Sequence, residues 1–301
     1  MSAAQLEGIL ERIAQMQSGW NELTELATMR ADLDALYLGF DGVANCQLAT
    51  ACANGVDVDT VSAPGAHDHK VIVLFHGGGF SMGSARSHRH LAQWLSSIAA
   101  CTVVLPDYRL VPEHIYPAQL DDASRVYDWL LDQGHYPDEI AIAGDSAGGG
   151  LSLALIAHLQ NSGRPLPACA CLMSPWLDLQ CKGESYRTLT DQDPVATHDM
   201  ALGMGQAYVG DDGCLTDPLA SPILLDFDGF PPLMIQSGGR EIFLDDARTV
   251  ADCAQKAGVT VEFSEWPEMI HQWHLYAGVL EDARRAIHAQ AEFLARYLRV
   301  R

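Results

Sequence analysis

Positive charge is scarce in this chain. Eighteen Lys and Arg stand against 39 Asp and Glu in 301 residues, a formal charge of −21 at pH 7. Such a chain repels polyphosphates and anionic bilayers, which excludes nucleic acid as an expected partner. Long apolar runs are missing as well, so no membrane-spanning helix and no stable membrane insertion are expected. The opening stretch MSAAQLEGILERIAQMQ carries Glu7 and Glu11 and lacks the charge order and apolar core of a secretory signal. The eight cysteines have no paired metal spacing. Cys169 and Cys171 form only a C-x-C, on an apolar segment whose alternation sends both to one face of a strand. They read as reduced thiols of a cytoplasmic protein. Internal repeats, low-complexity tracts and proline-rich linkers are absent, and 48% apolar with 19% charged residues suits one large α/β domain.

What is present alternates. Leu6, Ile9, Leu10, Ile13 and Met16 follow helical spacing, which predicts a helical piece over residues 1–40. From residue 56 onward come short runs rich in Val, Ile, Leu and Phe, at 56–64, 70–80, 101–110, 139–146, 171–176, 231–239 and 259–267. They have the composition of strands buried on both faces. Helical stretches at 85–99, 117–132, 146–161, 245–257 and 279–298 separate them. The alternation predicts βαβ units and a doubly wound, mostly parallel sheet. Residues 180–222 break the rhythm with a long insertion that has no buried strand, a length that suits a lid.

Two glycine-rich turns carry chemistry. In IAIAGDSAGGG a strand runs through Gly144-Asp145-Ser146-Ala147-Gly148 into a helical pattern, the strand-turn-helix context of a G-x-S-x-G nucleophile elbow. Upstream, His76-Gly77-Gly78-Gly79 ends another strand, and three successive glycines let a loop present N–H donors to an oxyanion. Neither turn has the spacing of a phosphate loop or dinucleotide fingerprint. His67 with His69 and His88 with His90 are i, i+2 pairs without a ligand frame, and read as solvated positions. No metal or organic cofactor is expected.

HGGGF at 76–80, DYRLVPEHIYPA at 107–118 and GDSAGG at 144–149, in that order, resemble the hormone-sensitive-lipase-like (GDXG) family of α/β-hydrolase fold carboxylesterases. The resemblance spans nearly the whole chain. It implies an α/β-hydrolase fold over 1–301 with a cap from about 1–40 and 180–215. It also implies Ser146 as nucleophile and an oxyanion hole from N–H groups of the glycine loop, Gly77, Gly78 and Gly79, and of Ala147. The family's order of Ser, acid, His puts the acid after the strand near 232–238 and the base after that near 259–266.

SGGREIFLDDA at 237–247 offers Glu241, Asp245 and Asp246. The family commonly has Asp-Pro-Leu where this chain has Glu241-Ile242-Phe243. Asp245 and Asp246 precede a helical face, where negative charge stabilises a helix start. Glu241 has no helix to cap, which leaves it the triad acid or a surface partner of Arg240. His271 matches the family's histidine, and His274, one turn on, reads as a packing residue. His76 is expected to orient the glycine loop, and Asp107, Arg109 and Glu113 to brace it. The expected activity is hydrolysis of short- to medium-chain acyl esters of small molecules by a serine carboxylesterase. A lactone hydrolase is the alternative within the fold, and a non-catalytic receptor-like member the alternative outside enzymes. Oligomeric state is open, with a homodimer as one option.

Overall fold

The computed structural model describes residues 2–21 and 23–299. Met1 and Glu22 of the expected helical piece, and Val300 and Arg301, lie outside the described residues. Two helices, α1 (Ser2–Gln17) and α2 (Leu26–Leu38), precede an eight-stranded sheet. The strands are β1 (Gln47–Ala53), β2 (Val56–Ser62), β3 (His67–Phe75), β4 (Cys101–Pro106), β5 (Ile140–Asp145), β6 (Cys169–Met173), β7 (Leu233–Gly238) and β8 (Val261–Trp266). Their order is β1-β2-β4-β3-β5-β6-β7-β8. The first two pairings, β1 with β2 and β2 with β4, are antiparallel, and all later ones are parallel.

Side-chain alternation along the strands divides the core in two. Val71, Val73 and Phe75 of β3 join the cluster built on α4 (Ala118–Asp132), α5 (Ala147–Asn161) and α8 (Leu244–Lys256). Ile72 and Leu74 join the opposite cluster, built on α3 (Ala85–Ala99), α9 (Glu281–Tyr297), α1 and α2. Every residue of β5, β6 and β7 is buried, as a parallel sheet covered on both faces requires. Cys169 and Cys171 share one face in the second cluster, and among the described residues all eight cysteines are free. Residues 180–222 hold α6 (Ser185–Thr188) and α7 (His198–Val209) and no strand. Among the described residues no helix is long and apolar enough to cross a membrane.

Two expectations change. The sequence reading begins the sheet at β2, but β1 adds an antiparallel edge strand. Apart from the exposed Leu48 its residues are small or polar, and most are exposed, so it lacks the apolar run of the other strands. Asp245 and Asp246 do stand in the first turn of α8, yet their side chains bond the segment that follows β6. Asp245 accepts from the N–H of Ser185 at 2.8 Å. Asp246, fully buried, accepts from the N–H of Leu177 (3.0 Å) and Asp178 (2.9 Å) and from the hydroxyl of Tyr186 (2.7 Å).

Burial pushes the Asp246 carboxyl up to about 8, against the pull of those three donors. Its main work is therefore as an acceptor. Asp246→Ala strands three buried donors and is expected to cost about 3 kcal/mol, at about 1 kcal/mol each. Asp246→Asn keeps an acceptor and is expected to cost about 1 kcal/mol or less. Chemical denaturation of the two variants checks this, and equal losses would contradict it.

Candidate active site

Ser146 joins β5 to α5 with φ 52° and ψ −121°, a backbone that non-glycine residues seldom adopt. Packing and hydrogen bonds hold it there. Its N–H donates to Met173 O (3.0 Å), and its carbonyl accepts from Gly149 (2.9 Å) and Trp176 (3.0 Å). The start of α5 lies so close to the end of β3 that a Cβ at Gly148 would collide with the carbonyl of Phe75. The motif's second glycine thus has a steric reason. The turn exposes the Ser146 hydroxyl to a cavity and sets Ala147 at the first position of the helix, where an N–H has no intrahelical acceptor.

His271 follows β8, and its Nε2 lies 2.9 Å from Ser146 Oγ. On its other side Nδ1 lies 3.3 Å from Glu241 Oε2. A carboxylate only accepts, so Nδ1 carries the proton and Nε2 is left to accept from the serine hydroxyl. Glu241 is fully buried, and its other oxygen accepts from the Ser237 hydroxyl. The ring of Phe243 sits against the imidazole with centroids 4.8 Å apart. Burial alone would lower the His271 pKa, but the Glu241 hydrogen bond and the charges of Glu241, Asp193 and Asp145 outweigh it and raise the group above 6.5. An imidazole so held can take a proton from the hydroxyl, and the neighbouring carboxylates would stabilise its charged form.

The other candidate groups lie elsewhere. Among the described residues Glu241 has no ion pair with Arg240, and Asp245 belongs to the α8 surface, paired with Arg248. His274 is buried, its Nε2 donating to Gln236 Oε1 at 2.9 Å, and burial lowers it to about 3, so it packs as a neutral ring.

Behind Ser146 lies a buried polar network that no motif announced. Asp145 accepts from the Gly77 N–H (3.1 Å), from the Gln272 amide and from His88 Nε2 (3.3 Å). Burial would raise this carboxyl, yet His88, Gln272 and His76 lower it, so it stands ionised beneath the serine. An acid ending the otherwise apolar run IAIAG is the one sequence signal that could have found it. Gly77 differs from the expectation: its N–H is spent on Asp145, not free for an oxyanion. The N–H groups of Gly78, Gly79 and Ala147 have no acceptor among the described residues. Gly78 and Gly79, with φ of 113° and 61°, border the cavity beside Ser146.

His76 shapes that loop, its Nδ1 donating to Gly77 O at 2.8 Å. Its ring stacks on Tyr108 at 4.1 Å, and the Tyr108 hydroxyl donates to His76 O at 2.6 Å. Asp107, Arg109 and Glu113 act separately instead of as one brace. Asp107 accepts from Ala85 N, Arg109 pairs with Asp122 on α4, and Glu113 pairs with Arg30 of α2. Arg30 in turn donates to Ser81 O and Val111 O, tying α2 to the loop after the glycines. His88 and His90 are not solvated: α3 turns them inward, His88 to Asp145 and His90 to Leu275 O. The i, i+2 spacing hid this because both positions fall on the wide buried face of that helix.

The cavity in front of Ser146 is narrow, with a volume of about 70 Å³, and opens to solvent. Ile13 and Trp20 from the region of α1, Leu33 and Tyr37 of α2, and Met200 and Met204 of α7 wall it opposite the sheet. Among the described residues no Asp, Glu, Lys or Arg lines it. Among the same residues no group of three or more His, Cys, Asp or Glu could hold a metal ion.

A profile described as the alpha/beta hydrolase fold matches residues 72–275. The chain is 43% identical over 232 residues to an acetyl-hydrolase of Streptomyces hygroscopicus, covering 77% of each protein. It is 35% identical over 265 residues to an esterase of Acinetobacter venetianus, covering 88% of this chain and 87% of that one. A crystal structure of an esterase from the bacterial hormone-sensitive lipase family superposes with a TM-score of 0.95 at 35% identity, over 98% of this chain and 99% of that one. With the sheet order and both glycine turns in place, the chain belongs to the α/β-hydrolase fold family, in the hormone-sensitive-lipase-like branch of carboxylic ester hydrolases.

Proposed function

We propose that the protein is a serine carboxylesterase that cleaves short- to medium-chain acyl esters through an acyl-enzyme. The observation that carries this reading is the row Glu241, His271, Ser146, hydrogen-bonded end to end and opening on an uncharged cavity. Ser146 Oγ attacks the ester carbonyl while His271 Nε2 takes its proton. The N–H groups of Gly78, Gly79 and Ala147 receive the oxyanion. His271 then gives the proton to the leaving alcohol, and a water, activated by the same nitrogen, releases the acid. Glu241 fixes the imidazole's tautomer and stabilises its charged form.

Residues 1–40 and about 180–215 are proposed as the cap of a single hydrolase domain, since α1, α2 and α7 supply most of the apolar wall. A charged acyl group would lose its hydration there without a partner, which favours uncharged substrates. Rates on p-nitrophenyl esters from acetate to palmitate, beside a set of lactones, test this. kcat/KM is expected to peak at short to medium chains. A maximum at palmitate, or on lactones over every ester, would overturn the substrate assignment.

A further inference from the structure

Asp193 lies in neither glycine turn, yet it is only 7% exposed and its side-chain hydrogen bonds all converge on the site. It lies between α6 and α7. Its Oδ1 accepts from the N–H of Val195 (2.9 Å) and Ala196 (3.1 Å), two residues that line the cavity. Its Oδ2 accepts from the N–H of Ile242 at 3.0 Å. Ile242 is the link between the two side chains that orient His271, Glu241 on its Nδ1 edge and Phe243 on its face. The carboxylate thus pins the peptide that joins Glu241 to Ile242, while the Ser185 hydroxyl holds the next one through Ile242 O.

We propose that Asp193 is a positioning residue for ester hydrolysis: it fastens the Glu241–Phe243 loop against His271 and adds its negative charge to the field around the imidazole. This rests on the reading of His271 as general base. The charged and titratable groups acting on His271 are the carboxylates Glu241, Asp193 and Asp145, with His274, neutral at about 3, adding no positive charge. Burial holds the Asp193 carboxyl above its ordinary 3.8, while His271 and the three N–H groups pull it down. The attraction is mutual: a charge that stabilises imidazolium is itself stabilised by it.

The acid limb of kcat/KM reports His271 in the free enzyme, since a protonated imidazole cannot accept the serine proton. With its pKa raised, the wild-type limb is expected above pH 6.5. Asp193→Asn keeps an acceptor near Ile242 and removes the charge. The limb is expected to fall by about half a pH unit, with kcat lowered about tenfold and KM changed less than about twofold. A role in stability alone lowers the melting temperature and leaves the limb where it was. An unmoved limb in a folded Asp193→Asn protein overturns the proposal. Should that variant not fold, Asp193→Glu decides. Its extra methylene displaces the Ile242 bond, so a several-fold loss of kcat is expected, and wild-type kcat would overturn the proposal. Diisopropyl fluorophosphate separates the two readings. Failure to label Ser146 in the wild type sinks the serine mechanism itself, whereas labelling with an unmoved limb sinks only the assignment of Asp193.

Discussion

Ser146→Ala is expected to lower kcat on a short-chain ester by a factor on the order of 10⁵–10⁶ while the protein stays folded. The loss is so large because, in the proposed mechanism, the hydroxyl oxygen forms the acyl bond, and His271 and Glu241, hydrogen-bonded in a row behind it, serve only through it. Folding survives because the Ser146 side chain bonds only His271, whereas the strained turn is held by backbone bonds to Met173, Gly149 and Trp176. Phenylmethylsulfonyl fluoride should inactivate the wild type with one adduct, mapped by mass spectrometry to the peptide containing Ser146. An adduct elsewhere, or an alanine variant that retains turnover, would remove the serine mechanism.

The sequence is legible where one physical rule dominates. Five helices fall within two residues of their expected bounds, from Ala85–Ala99 to Glu281–Tyr297, because each follows a short apolar run of strand composition and its own residues read at helical length and spacing. Ser146 and His271 meet because a strand end fixes each, and the parallel sheet brings those ends to one edge. Legibility fails where a polar side chain works through distant partners. Asp246 reads as a helix cap, yet its partners Leu177, Asp178 and Tyr186 stand about sixty or more positions away. His88 reads as solvated because its partner Asp145 is 57 positions distant. Asp193 caps its own turn through Val195 and Ala196, as an Asp before Pro194 often does, but its bond to Ile242, 49 positions away, has no local mark. For such groups, burial is decided by the assembled fold, and single-chain periodicity carries no trace of it.

Glu241 tests the boundary between those regimes, since three carboxylates lie within six positions and one alone reaches His271. Glu241→Gln keeps the size of the side chain and loses the charge that stabilises the imidazolium. An amide also competes for the wrong tautomer, offering N–H where Nδ1–H needs an acceptor. kcat is therefore expected to fall by a factor on the order of 10³–10⁴, as for the equivalent change in other triads, with little change in melting temperature. Asp245→Ala, the contrast, removes a partly exposed carboxylate that holds Ser185 N and pairs with Arg248. It is expected to cost about 1 kcal/mol of stability with turnover changed only a few-fold. A silent Glu241→Gln beside a folded but inactive Asp245→Ala would reassign the acid. Glu241→Asp probes reach. Oε1 is already engaged by Ser237 and Oε2 by His271, so the carboxylate is held at both oxygens. Retracting it by one methylene breaks at least one of these contacts, and activity should drop even though the charge remains. Full activity in that variant would mean that the loop, released from Ser237, can follow the shorter side chain to the histidine.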